Sequence, residues 1–472
     1  MLRRTFIAWM LILPALAACA PASTQPARTP EFLLREADIP AGRFIPAEMI
    51  DAEFYKGDSN YKCLLKASDG KFYYAICCHK IDTHTQMYTF DPGTKKVSHL
   101  ADMGEVVGEK GKKTIPQGKI HVNIFEHKGK LYTGTHIGFY LPLTKVETPG
   151  EAKGYLPYQG GHFVSYDLAT GAWEDLAKAP VEEGILTMVM DKQRERLYGL
   201  TWPAGSLISY DIPTKEFKIL TETGYGKGEW GEREKGEWMF ICRTLALDPR
   251  DGSLYWSNTQ GDIMAYRYDT GKVEKLAAHI RLKEFGDPSC WRQIVWFPKE
   301  EVFYGVHMTS SYLFRFDPRS GKIEPLERIC GEEFKNPAND GRRGKGPGAT
   351  LALHLGPDGE TIYYLPQGAG IVAKDGRKTR GTVHFVTYHI PTRKYTDHGI
   401  LRLADGRFPT YAQAIDEENG TIYSVPWIEV PPDATGRAAK IALDRTGNPT
   451  YNAAQTIEEI NLIRFTDPYL KR

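Results

Sequence analysis

From residue 61 onward, runs of four to eight β-branched and aromatic residues alternate with polar turns carrying D-G, K-G or T-G. Such alternation predicts short strands joined by hairpins. GILTMVMDKQRERLYGLTWPAGSLISYDIPTKEFKIL (184–220) reads as four strands in succession. The same plan recurs at 242–276 and 291–326, and more loosely at 61–100 and from Thr350 to Ile400. A further copy opens at KIHVNIF and is completed by GGHFVSYDLATGAWEDL; a last one opens at TYAQAIDEENGTIYSVPW and closes with EEINLIRF. Seven copies of a four-stranded unit predict an all-β chain, a seven-bladed β-propeller with four antiparallel strands per blade.

The connections separate two faces. Turns between first and second strands and between third and fourth strands are tight, as in DKQRER and DIPTKE. The long segments (101–118, 141–159, 221–240, 278–290, 327–348, 366–381 and 428–455) all join the other strand ends. Loops held by a rigid scaffold carry function, so the long-loop face is the expected working face. On this register His121 starts the innermost strand of the second copy, His136 ends the next strand, and His162 starts the third. Arg243 and Arg292 begin innermost strands, with Trp291 beside the latter. Trp202 and His307 end second strands, Tyr411 and Gln413 open the last copy, and Tyr140 follows His136. His127 falls at a tight turn on the far face, a surface position. His79, His84, His354, His384 and His389 read as strand or loop residues without partners.

These residue types define a chemistry. Imidazole can take a proton near neutral pH. Arginine grips a carboxylate and stabilises charge developing beside it, and a tyrosine hydroxyl can return a proton to a leaving oxygen. Together they suit β-elimination of a uronic-acid glycoside. The catalytic set expected is His121, His136, Tyr140, Arg243 and Arg292, with His162, Trp202, Trp291, His307, Tyr411 and Gln413 binding the glycan. Hydrolysis would need paired carboxylates, and Glu229, Glu232 and Glu234 lie in one charged loop. Convergence of His121, His136, His162 and His307 would also allow a divalent metal (Mn, Zn or Ca). The competing expectation is a non-catalytic glycan-binding or scaffold propeller.

The chain ends change the picture further. MLRRTFIAWMLILPALAAC predicts a lipoprotein signal peptide over 1–19 with lipidation at Cys19. Residues 20–58 then form a tether and lead-in, 59–467 the propeller, and 468–472 a tail. The protein is expected to be exported to the outer membrane, on its periplasmic or cell-surface side, touching the membrane through the lipid anchor only. Lys plus Arg (60) balances Asp plus Glu (59), which gives no footprint for nucleic acid. The other cysteines, Cys63, Cys77, Cys78, Cys242, Cys290 and Cys330, are expected to be buried or disulfide-bonded.

The seven-copy plan with rim His, Arg and Tyr resembles the propeller polysaccharide lyases, the ulvan and rhamnose–glucuronate lyases. That resemblance implies a His base, a Tyr acid and a carboxylate-neutralising Arg on the channel face, acting on a uronic-acid-containing glycan. QGKIHVNIFEHKGKLYTGTHIGFY, GGHFVSYDLATG and CRTLALDP are also similar to exported propeller proteins of environmental bacteria. His121 and His136 stand closer together than the two-histidine pattern of those lyases, so residue types carry over rather than fixed roles.

Overall fold

In the computed structural model, the described residues are 33–143, 146–221, 242–258, 261–285, 290–308, 310–335, 348–430 and 457–470. Of these, 140–143, 146–149 and 457 are described by backbone alone. All belong to one unit, Phe32–Arg472. Residues 1–19, expected to be a signal peptide ending at a lipidated Cys19, lie outside the described residues.

The chain is an all-β propeller with four-stranded antiparallel blades. Five sheets follow the repeat directly, each with its strands in chain order from the inside out. The third repeat, for example, runs Gly184–Asp191, Arg196–Trp202, Leu207–Asp211 and Glu216–Thr221. Inner strands are apolar on both sides because each blade packs between two neighbours; Gly184–Asp191 and Val302–His307 are buried almost throughout. Outer strands such as Lys272–His279 alternate between half-buried and exposed positions, as a strand with one wet face should. Left-handed residues at Glu195, Glu301 and Arg393 make the hairpin turns tight.

The count of blades corrects the sequence expectation: six sheets stand where seven were predicted. The last two repeats share one nine-stranded sheet. Its centre is Phe44–Ile50, from the stretch expected to be a lead-in. That strand pairs parallel with Lys394–Leu403 and antiparallel with Leu462–Thr466. EEINLIRF supplies only part of its repeat, and the strand that completes the sheet comes from the other end of the chain.

A second regularity ties the outer strands. The start of the third strand and the middle of the fourth are linked by a polar pair in four repeats. Gln86 meets His99 at 2.8 Å, His162 meets Asp175 at 2.9 Å, Asp262 meets Lys275 at 2.9 Å and His384 meets Asp397 at 3.1 Å. Two of these grow into triads, because Glu109 approaches His162 Nε2 at 3.5 Å and Glu333 approaches His384 Nε2 at 3.2 Å; the second is buried, while Asp175 of the first is exposed. His384 therefore has partners, contrary to expectation. Its carboxylates are also engaged by Arg43 Nη2 (2.7 Å) and the backbone N–H groups of Glu332, Gly399 and Ala369. An imidazolium between two anions fits this set better than a metal ion does. Burial alone would depress His384, but Glu333 and Asp397 prevail and lift it to about 10.

Two outcomes are expected. Ala47→Pro places a proline in the strand shared by both halves of the large sheet and should cost about 3 kcal/mol or more, read by chemical denaturation. For His384, a folded value of about 10 against the ordinary 6.5 gives stabilisation that is complete below pH 6.5 and lost as pH rises through 10. Between those limits the wild-type protein should lose up to about 1.4 kcal/mol per pH unit from this group. His384→Gln should be less stable at pH 6 and show a flatter profile.

Candidate functional site

Successive repeats bring their innermost strands, and the few residues leading into them, to one region. Tyr61 and Lys62 precede Leu64–Lys66; Lys119 and His121 precede Phe125–His127; Arg243 and Thr244 precede Ala246–Leu247; Arg292 and Gln293 lie in Trp291–Phe297; Tyr411 and Gln413 precede Asp416–Glu418. Lys62 has a left-handed backbone, φ 62°, and its N–H reaches Gln413 O at 3.3 Å. Polar residues at this level stitch repeat to repeat. Leu245 N donates to Thr187 Oγ1 (3.2 Å), Trp291 Nε1 to Thr244 O (2.6 Å), and Gln293 Nε2 to Leu351 O (3.1 Å).

His121 and His136 are brought together as expected, with ring centres 5.6 Å apart. A short bridge between Lys119 and His136 aligns their segments through bonds of 2.9 and 2.8 Å. His121 Nδ1 lies 2.8 Å from Leu186 O, which fixes Nδ1 as the protonated nitrogen and leaves Nε2 a lone pair. Tyr61 stacks on the His121 ring at 4.3 Å, and Lys119 Nζ stands 4.6 Å from the Tyr61 ring centre. Burial, with the competing titration of His136 and the positive charge of Lys119, Arg243 and Arg292 nearby, holds His121 well below the ordinary histidine value. His136 is held down likewise, by burial first and then by Lys119 and Arg243. Both imidazoles are therefore neutral at physiological pH.

The cations form a group of their own. Lys62 Nζ donates to Arg243 O at 2.7 Å and to Thr244 Oγ1. Arg292 Nη2 donates to Tyr411 Oη at 3.1 Å and to Gln413 Oε1. Among the described residues neither Lys62 nor Arg292 meets a carboxylate, and Arg292 Nε is buried without a hydrogen bond. Burial, reinforced by repulsion from Arg292 and Arg243, keeps the Lys62 ammonium well below its ordinary value. A site that gathers like charges in this way is prepared for an anion. On its outer side Trp427 stands 6.2 Å from Tyr61 and 5.3 Å from Tyr411. All three rings are half-buried.

Other expected site residues go elsewhere. His162 is held by Asp175 and Glu109, which raise it above the ordinary value against the effect of burial. His307 stacks on Phe285 at 4.8 Å, with Nδ1 3.0 Å from Ser310 Oγ. The four histidines thus form no metal-ligand group among the described residues. Their strands share a rim, but these two rings are captured locally. Trp291 is fully buried, its N–H spent on Thr244 O and its ring packed near Phe314 and Phe316. Trp202 is buried edge-on to His136 at 5.8 Å. Tyr140 opens a hairpin, Tyr140–Leu143 with Val146–Pro149, whose side chains are outside the description, as are Glu229, Glu232 and Glu234.

The remaining histidines correct the sequence reading. His127 is an ion-pair partner of Glu195 at 3.1 Å and is half-buried. His79 Nδ1 meets Asp58 at 2.6 Å, His84 Nδ1 accepts from Gln117 N at 3.1 Å, and His389 Nδ1 meets Thr392 Oγ1 at 2.7 Å. His354 comes nearest to the expectation: it is half-buried, with Nε2 unbonded and its ring edge-on to Tyr363 at 5.9 Å. The six described cysteines are buried free thiols. Sequence reading missed Tyr61, Lys62, Lys119 and Trp427. The first two occupy in NYKCLLK the same place that HVNIF gives His121 and CRTLAL gives Arg243.

No sequence-family model matches the chain, and no curated protein does. Among solved structures, it is similar to the extracellular domain of a protein described as a hybrid two component system from B. thetaiotaomicron. That likeness has 12% identity and a TM-score of 0.50, and covers 82% of this chain and 41% of that one. The chain thus spans about two-fifths of that structure's length. A β-propeller domain of Cps50 (Swd1) from Myceliophteria thermophila matches at 8% identity and TM-score 0.45, over 78% of this chain and 94% of that one. At such identities the likeness is one of fold.

Gly184 offers a test of how tightly the histidine pair is held. A Cβ there would lie 2.2 Å from His136 Nδ1. Gly184→Ala should cost about 1–3 kcal/mol of stability and shift the side-chain resonances of His136 and His121 in an NMR spectrum. An unchanged spectrum would show that the pair is not confined by this contact.

Proposed function

We propose that the protein is an exported lyase that cleaves a uronic-acid-containing glycan by β-elimination at the site of His121 and Arg292. One observation carries the reading. Two cations without carboxylate partners among the described residues belong to the same region as a neutral, tautomer-fixed imidazole: the charge of Arg292 acts on His121, and Lys62 adjoins Tyr61, whose ring stacks on His121. In this reading Arg292 and Lys62 receive the uronate carboxylate and stabilise the charge that forms on it as the adjacent carbon loses its proton. His121 Nε2 takes that proton. Its suppressed basicity keeps it unprotonated well into mild acid, so the base is ready without prior deprotonation. Counting the nine-stranded sheet as two blades would restore the seven-bladed plan of the ulvan and rhamnose–glucuronate lyases. The signal segment and Cys19 would put the enzyme on the outer membrane.

The test is ultraviolet detection of an unsaturated uronic product across a panel of acidic polysaccharides. His121→Ala should lower the rate about 10²- to 10⁴-fold, the worth of a positioned base. Arg292→Met should lower it comparably by removing the clamp. The acid limb of the wild-type pH profile should lie below the ordinary histidine range. Binding without cleavage, undiminished in His121→Ala, would point instead to a non-catalytic glycan-binding propeller.

A further inference from the structure

Behind Tyr61 lies a hydrogen-bonded array that the base and clamp do not use. Tyr61 Oη stands 3.4 Å from His79 Nε2, and His79 Nδ1 stands 2.6 Å from Asp58 Oδ1. Asp58 is itself fixed, accepting from His79 N at 2.9 Å and from Ser59 Oγ at 2.9 Å. The segment is pinned to the first blade by the Ser59–Cys77 bridge and by Asp58 N donating to Cys77 O at 3.0 Å. Burial would raise the Asp58 carboxyl, but the charge and hydrogen bonds of His79 outweigh it and hold Asp58 below the ordinary value. The His79–Asp58 contact is thus fixed, with Nε2 directed at the phenol.

Resting on the lyase reading, we propose that Tyr61 is the acid that protonates the leaving glycosidic oxygen, with His79 and Asp58 as its proton-delivery pair. Tyr61 stacks on His121 at 4.3 Å, so the phenol ring lies directly against the base. The step balances. His121 removes the proton next to the carboxylate, and that electron pair forms the carbon–carbon double bond as the carbon–oxygen bond breaks. The Tyr61 proton goes to the departing oxygen, and the His79 Nε2 proton goes to the phenolate. Solvent then exchanges the proton held by His121 and restores the one lost from His79. The 3.4 Å separation is in the range of catalytic bonds that tighten once substrate is bound. Charged and titratable groups near the array are Lys119 over the Tyr61 ring, His121 against its face, His136 beyond, and Asp58.

The experiment compares two uronates in the full-length protein: a natural disaccharide, and an analogue whose leaving group is 4-nitrophenolate and needs no proton. Tyr61→Phe and Asp58→Asn should each lower kcat on the disaccharide about a hundredfold, with KM little changed. Both variants should approach the wild-type rate on the aryl analogue, and Asp58→Glu should recover part of the loss on the disaccharide. Equal losses on both substrates would make the pair structural and overturn the relay. An unaffected Asp58→Asn with a crippled Tyr61→Phe would overturn the delivery role of His79 and Asp58. Wild-type protein inactive on both substrates would overturn the lyase reading beneath it, a result separable from the other two.

Discussion

The structure depends on a strand that belongs to neither neighbour in sequence. Phe44–Ile50 is hydrogen-bonded on one side to Lys394–Leu403 and on the other to Leu462–Thr466. A ring of sheets must join its last repeat to an earlier part of the chain or leave two edges unpaired, and unpaired edges invite association with other chains. Here the join is made across more than 350 positions, since Arg43 also clasps Asp397. Arg402 does the same to Glu36. Every inner-strand residue at the candidate site relies on that closure, because its position is fixed only when both neighbouring repeats are in place.

Closure explains how an electrostatically unfavourable site can exist. Gathering Lys62, Arg292 and two imidazoles in a poorly hydrated space depresses the basicity of the lysine and both histidines. The opposing stabilisation is spread elsewhere in the ring: the apolar inner strands, the interblade bonds through Thr187, Thr244 and Gln293, and the triads of His162 and His384. The contrast between these two settings for histidine is instructive. Beside carboxylates, His384 is driven to its charged form; beside cations, His121 is driven to its neutral form. The same side chain becomes a structural cation or a base according to its neighbours.

Much of this was legible in the sequence. The repeat is visible because each blade solves the same packing problem, and its register put His121 and His136 at neighbouring strand ends, where their rings stand 5.6 Å apart. It failed where position and direction differ. His162 and His307 begin or end strands at that level, yet Asp175 with Glu109 and Phe285 with Ser310 turn their rings to local use. The blade count failed for a related reason: a parallel pairing between residue 44 and residue 400 leaves no periodic mark on the chain. Tyr61 and Lys62 were missed although they hold in the first repeat the place that Arg243 holds in the fourth.

That first repeat is also where the site is most elaborate. It supplies Asp58, Tyr61, Lys62 and His79 within about one blade, and a left-handed residue at Lys62 turns the chain so that neighbours 61 and 62 serve different ends. The Tyr61 ring lies on His121, while Lys62 reaches across to the fourth repeat. An extended backbone would send adjacent side chains to opposite faces of a strand. The left-handed turn lets both contribute around one centre, uniting the cation cluster with the aromatic wall of Tyr61, Trp427 and Tyr411. The left-handed residue at Lys62 and the concentration of polar and aromatic side chains around it therefore coincide.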